Sequence, residues 1–151
     1  MTAAALVIVD GMNVIGSRPD GWWRDRAGAQ RRLRDELLKL AGPGAEVVAV
    51  FEGAPVADLR EEPEAGPGSV TVRWARRRGR DAADDRIVEE VGAGRQSGRA
   101  VTVVTADRAL RDRVISLGAD VAGPSKLVDV VRALTGSEGA RGAAGPAVSS
   151  E

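Results

Sequence analysis

Five short apolar runs alternate with segments of helical period, and that alternation constrains the fold more than any other feature of the chain. The runs are residues 4–9, 47–51, 70–74, 101–105 and, more weakly, 120–122. Between them, Leu33, Leu37 and Leu40 fall at i, i+4 and i+7 with charged residues on the other face, so residues 29–40 read as an amphipathic helix stopped by Gly42-Pro43-Gly44. Leu110, Val114 and Leu117 repeat the spacing before Gly118, and Leu127, Val131 and Leu134 repeat it before Gly136, with Ser125 as the expected N-cap. Residues 81–91 form a further helix whose inner face is Ile87, Val88 and Val91. Strands alternating with helices in this way predict an α/β fold with a mostly parallel sheet.

The 151 residues suit one domain, expected over 1–135. Residues 54–69, with three prolines and several carboxylates, read as a connection or lid-like loop, and the Gly/Ala/Ser-rich stretch 136–151 as a disordered tail. No apolar run is long enough to span a bilayer, and no basic segment precedes the first one as in a signal peptide, so no membrane association and a cytoplasmic location are expected.

Composition enters through what is missing. The chain has no histidine, cysteine or tyrosine. It cannot by itself build a Ser-His-Asp or Cys-His nucleophile, an imidazole base, or a Cys/His zinc site. Catalysis must then run on carboxylates, hydroxyls and charged nitrogens, and the natural helper is a hard, oxygen-loving cation such as Mg²⁺ or Mn²⁺.

In an open parallel sheet, ligands sit beyond the carboxyl ends of the strands. Asp10 follows the first run, Glu52 follows the second, and Asp107 lies just past the fourth. Asp81, Asp84 and Asp85, at i, i+3 and i+4, share one face at the start of a helix. Each has a plainer reading: Asp10 before Gly11 and Glu52 before Gly53 as turn residues, Asp81 and Asp107 as helix caps. Their convergence on one rim favours a shared acidic site, suited to one or two divalent ions acting on a phosphodiester.

Three segments resemble a known family, and a fourth resembles its wider superfamily. Ile8-Val9-Asp10-Gly11-Met12-Asn13-Val14-Ile15-Gly16 is similar to the opening of the NYN domains, in particular the YacP-like branch of the PIN-like nuclease superfamily. Ala83-Asp84-Asp85-Arg86-Ile87 resembles that family's acidic helix, and Val103-Val104-Thr105-Ala106-Asp107-Arg108-Ala109-Leu110 its later strand end. Val50-Phe51-Glu52-Gly53-Ala54-Pro55 is similar to a stretch of flap-type nucleases, with Glu52 where an Asp is usual. The resemblance spans roughly residues 6–134. It implies a Rossmann-like α/β/α three-layer sandwich and a metal-dependent ribonuclease acting on RNA. It also implies Asp10, Asp84 and Asp107 as metal carboxylates, Asp85 and Glu52 as additions to them, Asn13 as an orienting amide, and Thr105 as a hydroxyl beside Asp107 on the substrate side.

Substrate contacts are expected from Arg73, Arg76, Arg77, Arg78 and Arg80, interleaved with Trp74, and from Trp22, Trp23, Arg24 and Arg26 after the first motif. Trp74 reads equally as core, and one of Trp22 and Trp23 is expected to pack inside. Zero net charge and Glu52 also admit a catalytically weak RNA-binding or ribosome-associated module of the same fold. An aspartyl-phosphate phosphatase is disfavoured, since Met12 occupies the place of its second Asp.

Overall fold

A computed structural model describes residues 4–61, 68–79 and 81–136. The apolar runs become five strands: β1 (Ala5–Asp10), β2 (Ala45–Phe51), β3 (Val70–Trp74), β4 (Val101–Val104) and β5 (Asp120–Ala122). They form one sheet in the order β3-β2-β1-β4-β5, and every pairing in it is parallel. Val7, for instance, stands between Val47 of β2 and Thr102 of β4.

Both faces of the sheet are covered, which is why its strands are continuously apolar rather than alternating. Successive residues of β1 serve opposite layers. Val7 and Val9 pack beneath α1 (Gly11–Gly16), α2 (Arg26–Leu40) and α5 (Leu127–Thr135), against Ile15, Leu33, Leu37 and Val131. Leu6 and Ile8 pack beneath α3 (Ala82–Gln96) and α4 (Arg108–Ser116), against Ile87, Val91, Leu110 and Val114. The result is the expected Rossmann-like three-layer α/β/α sandwich, with β1 at its centre.

Several local expectations change. Residues 11–16 form a helix, α1, that the apolar spacing did not reveal. Ser125 does not cap α5: residues Pro124–Lys126 form a short 3-10 turn, and the N-terminus of α5 has no side-chain cap. Gly136 does end α5, in a left-handed conformation at φ 62° that glycine adopts without strain. The segment read as a connection or lid-like loop is strapped down over its first half. Leu59 is buried in the core, its carbonyl accepts the indole N–H of Trp74 at 2.7 Å, and Glu61 bridges to Val72 of β3. Residues 62–67 and, past Gly136, the expected disordered tail lie outside the described residues. Among the described residues, no helix is long and apolar enough to cross a membrane.

Candidate active site

Beyond β1 the strand order reverses direction: β2 and β3 lie on one side, β4 and β5 on the other. The crevice at such a switch point is where an open α/β sheet binds its ligand. Asp10 ends β1 at that place and is only 6% exposed. The glycine after it makes the position possible. A Cβ on Gly11 would lie 2.4 Å from the Phe51 ring and 2.8 Å from the Val50 carbonyl, so only glycine lets α1 start directly against β2.

Asp10 is tied to the end of β4. The Thr105 hydroxyl donates to Asp10 Oδ2 at 2.7 Å and accepts the Asp107 backbone N–H at 3.0 Å. Asn13 Oδ1 accepts the Ala106 N–H at 2.8 Å, joining α1 to the same loop. Asp107 Oδ1 accepts the Leu110 N–H at 2.9 Å and so caps α4. Capping uses one carboxylate oxygen, which leaves the expected role at the rim open to the other. Thr105 is 2% exposed with its hydroxyl committed on both sides. As placed, it holds the Asp10 carboxyl to the loop that carries Asp107.

Asp84 enters from the first turn of α3. The carboxyl of Asp10 is pushed up from 3.8 to about 6, first by burial and then by the charges of Asp84, Asp107 and Glu52, against the hydrogen bond from Thr105. Asp84 is likewise raised to about 6, by burial, then by Asp107 and Asp81. The three carboxylates thus feel one another across the rim. Among the described residues, the Asp84 side chain forms no hydrogen bond or ion pair, and the Asp10 side chain bonds only to Thr105. Among the described residues, no three acidic side chains come together closely enough to hold a metal ion by themselves.

The two additions stand differently. Glu52 is half exposed, faces Arg26 at 3.6 Å and adds its charge to the field at Asp10. Asp85 points to Arg77 at 2.8 Å and Arg113 at 3.1 Å, and these hydrogen bonds hold its carboxyl below the ordinary range. As placed, Asp85 ties α3 to α4 and to the loop before it. Asp81, expected as a cap, makes no capping bond and instead takes a left-handed conformation at φ 64°, the one non-glycine residue to do so among those described. Strain of this kind concentrates beside functional sites.

The arginine stretch divides. Arg73 meets Glu90 at 3.6 Å, Arg76 pairs with Glu89 on α3, and Arg77 with Asp85. Arg77 and Arg78, with Arg26, Glu52 and Gly53, line a groove of about 300 Å³ that runs to Ala82 at the start of α3. Arg80 lies outside the described residues. Trp74 is core: it is 4% exposed and packs on Phe51 with ring centroids 5.4 Å apart, so it cannot stack on a base. Trp22 packs against the core while Trp23 stays exposed beside Arg24.

Reading the sequence alone missed Arg86 and Glu61. Arg86, 5% exposed, donates to both Glu61 oxygens, to Glu90 and to the Trp74 carbonyl. Only the i, i+4 spacing of Arg86 and Glu90 was visible in the sequence; Glu61 comes from a loop 25 residues away.

No curated protein matches the chain. Two crystal structures of Rae1 (YacP) from Bacillus subtilis, one of a tryptophan-to-leucine mutant, share its fold with a TM-score of 0.64 each. The mutant is 21% identical over 86% of this chain and 76% of its own, the other 20% over 85% and 74%. The model of the YacP-like NYN domain matches residues 7–141, a span that takes in Asp10, Asn13, Asp84, Thr105 and Asp107. With more than half of its length matched, the chain belongs to the YacP-like NYN domain family of PIN-like nucleases.

Proposed function

We propose that this chain is a divalent-metal-dependent ribonuclease whose Asp10, Asp84 and Asp107 hold Mg²⁺ or Mn²⁺. One observation carries the reading: Asp10 and Asp84, both raised to about 6 by burial and by neighbouring negative charge, share the switch-point rim with Asp107. Carboxylates held together against their own repulsion fit a cation, and their oxygens are the donors such ions prefer. Mg²⁺ also keeps several waters, and through them an ion can reach a carboxylate that does not touch it directly, so the three carboxylates need not all meet at one point.

When bound, the ion supplies Lewis-acid activation of water and neutralises charge on the phosphodiester. The protein supplies position. Thr105 fixes the rotamer of Asp10, Asn13 pins the loop carrying Asp107, and α3 carries Asp84 to the rim. Arg26, Arg77 and Arg78 line the adjoining groove, where guanidinium groups can receive the phosphates on either side of the scissile bond.

The test is cleavage of a labelled single-stranded RNA by the purified chain in Mg²⁺ or Mn²⁺. Asp10→Asn and Asp84→Asn are each expected to lower the rate by about 10²-fold or more, because groups that act as a unit fail together. Excess EDTA should stop the wild-type reaction. Activity that survives either substitution, or EDTA, sinks the assignment.

A further inference from the structure

An exposed tryptophan three residues before Arg26 of the basic groove is not used by the chemistry above. Trp22–Arg24 form a single 3-10 turn directly before α2. The turn is anchored at both ends. Trp22 packs on the core and reaches the end of α1 at Gly16, and Asp25 caps α2 by accepting the Gly28 N–H at 3.0 Å. Trp23 stands edge-on to Trp22, with centroids 6.0 Å apart and planes at 87°. The Arg24 guanidinium lies 5.8 Å from the centre of the Trp23 ring, and with it in place Trp23 is still 62% exposed.

A single exposed apolar residue needs no explanation. This one differs in its surroundings. Arg26, three residues on, extends to Glu52 and Gly53 at the end of β2, and from there the groove continues past Arg77 and Arg78 to the start of α3. An exposed aromatic ring therefore comes three residues before the arginine that opens a guanidinium-lined track, and Glu52, whose charge reaches Asp10, lines the same track. Aromatic planes alternating with backbone-tracking cations are how proteins hold unpaired nucleic acid, because a base offers its π-face only when it is free of a duplex.

We infer that Trp23 is a base-stacking subsite for single-stranded RNA, with Arg24 clamping the stacked nucleotide and Arg26 leading its phosphates into the groove. The inference rests on the ribonuclease reading and specifies its substrate as an unpaired strand. A base seated on Trp23 fixes the register of the strand, so the bond presented to Asp10, Asp84 and Asp107 lies a set number of nucleotides away.

The test measures binding and cleavage separately, with the full chain and a fluorescein-labelled twelve-nucleotide RNA, single-stranded or annealed to its complement. In EDTA, Trp23→Ala is expected to weaken single-strand affinity by about tenfold and Trp23→Phe to restore most of it, while duplex binding is unaffected by either. In Mg²⁺, Trp23→Ala should raise KM by a similar factor with kcat little changed. If the wild-type chain cleaves RNA while Trp23→Ala binds the single strand as tightly as wild type, the subsite is wrong and the ribonuclease reading stands. If the affinity pattern appears but no metal cleaves the RNA, the subsite stands and the ribonuclease reading fails. An equal loss of affinity for single strand and duplex overturns the stacking role, since it reports a nonspecific contact.

Discussion

Two acid-rich regions of this chain use the same side chains in opposite electrostatic settings. Around Arg86, Glu61 and Glu90 are matched by cations. Burial would lift the Glu61 carboxyl, but hydrogen bonds from Arg86 and the Trp74 N–H, with the charges of Arg86 and Arg73, bring it below its ordinary value. At the rim, Asp10 and Asp84 are lifted instead, by burial and by each other's neighbourhood. The first region is compensated internally and braces α3 against β3. The second carries a charge imbalance that folding alone leaves in place, which is what the proposed cation site calls for.

The largest effect that separates the two is expected at Arg86. Arg86→Met keeps the apolar stem but removes the guanidinium donors that Arg86 gives to Glu61, Glu90 and the Trp74 carbonyl. Breaking a buried ion pair by removing one partner costs about 3 kcal/mol or more, and the partial exposure of Glu61 puts this case at the low end of that range. Urea unfolding at neutral pH measures it. A loss below about 1 kcal/mol would mean that the cluster is solvated like a surface pair, and the contrast with the rim would collapse.

The rim should respond in the opposite direction. Because folding raises the Asp10 carboxyl from 3.8 to about 6, the folded state is favoured while that group is protonated. Its contribution is full below pH 4 and is lost as pH rises through about 6. Asp10→Asn keeps an oxygen to accept from Thr105 and removes the charge. It is therefore expected to stabilise the metal-free protein by up to about 3 kcal/mol above pH 6, with the gain vanishing near pH 4. Unfolding titrations at pH 4, 6 and 8 give the profile; a gain that is constant with pH would show that packing, not charge, is responsible. Under the ribonuclease proposal the same variant is expected to lose cleavage, so stability and activity would part company at this one residue.

How much of this was legible in the sequence follows from the range of the interactions. The strands and the helices α2 to α5 were readable because burial on both sheet faces imposes local periodicity, as in Leu33 and Leu37 or Leu110 and Val114. α1 was not, since its six residues are too short to show a period and its helical start depends on the contact of Gly11 with Phe51. Asp10 and Asp107 were legible as strand-end carboxylates. That Thr105 would face inward to both of them was not, because residue 105 alternates with its strand neighbours and the pattern does not say which layer receives it. Trp74 stayed open between core and substrate for the same reason: arginines surround it in sequence, and it is β3 that turns it into the core.

The smallest effect sharpens the comparison from within one helix. Arg76 and Arg86 both engage glutamates of α3, at Glu89 and Glu90, and both pairs are close enough for charge-assisted hydrogen bonds. What differs is water. Arg76 and Glu89 are each about half exposed, whereas Arg86 is sealed. An exposed pair exchanges one set of partners for another when it is broken, since water solvates both ends, and salt screens what attraction remains. Arg76→Ala is therefore expected to leave the unfolding midpoint unchanged within error, at low salt and at high salt alike. A clear destabilisation would place Arg76 in the same brace as Arg86, and the division between a sealed, compensated cluster and a solvated surface would have to be redrawn to include it.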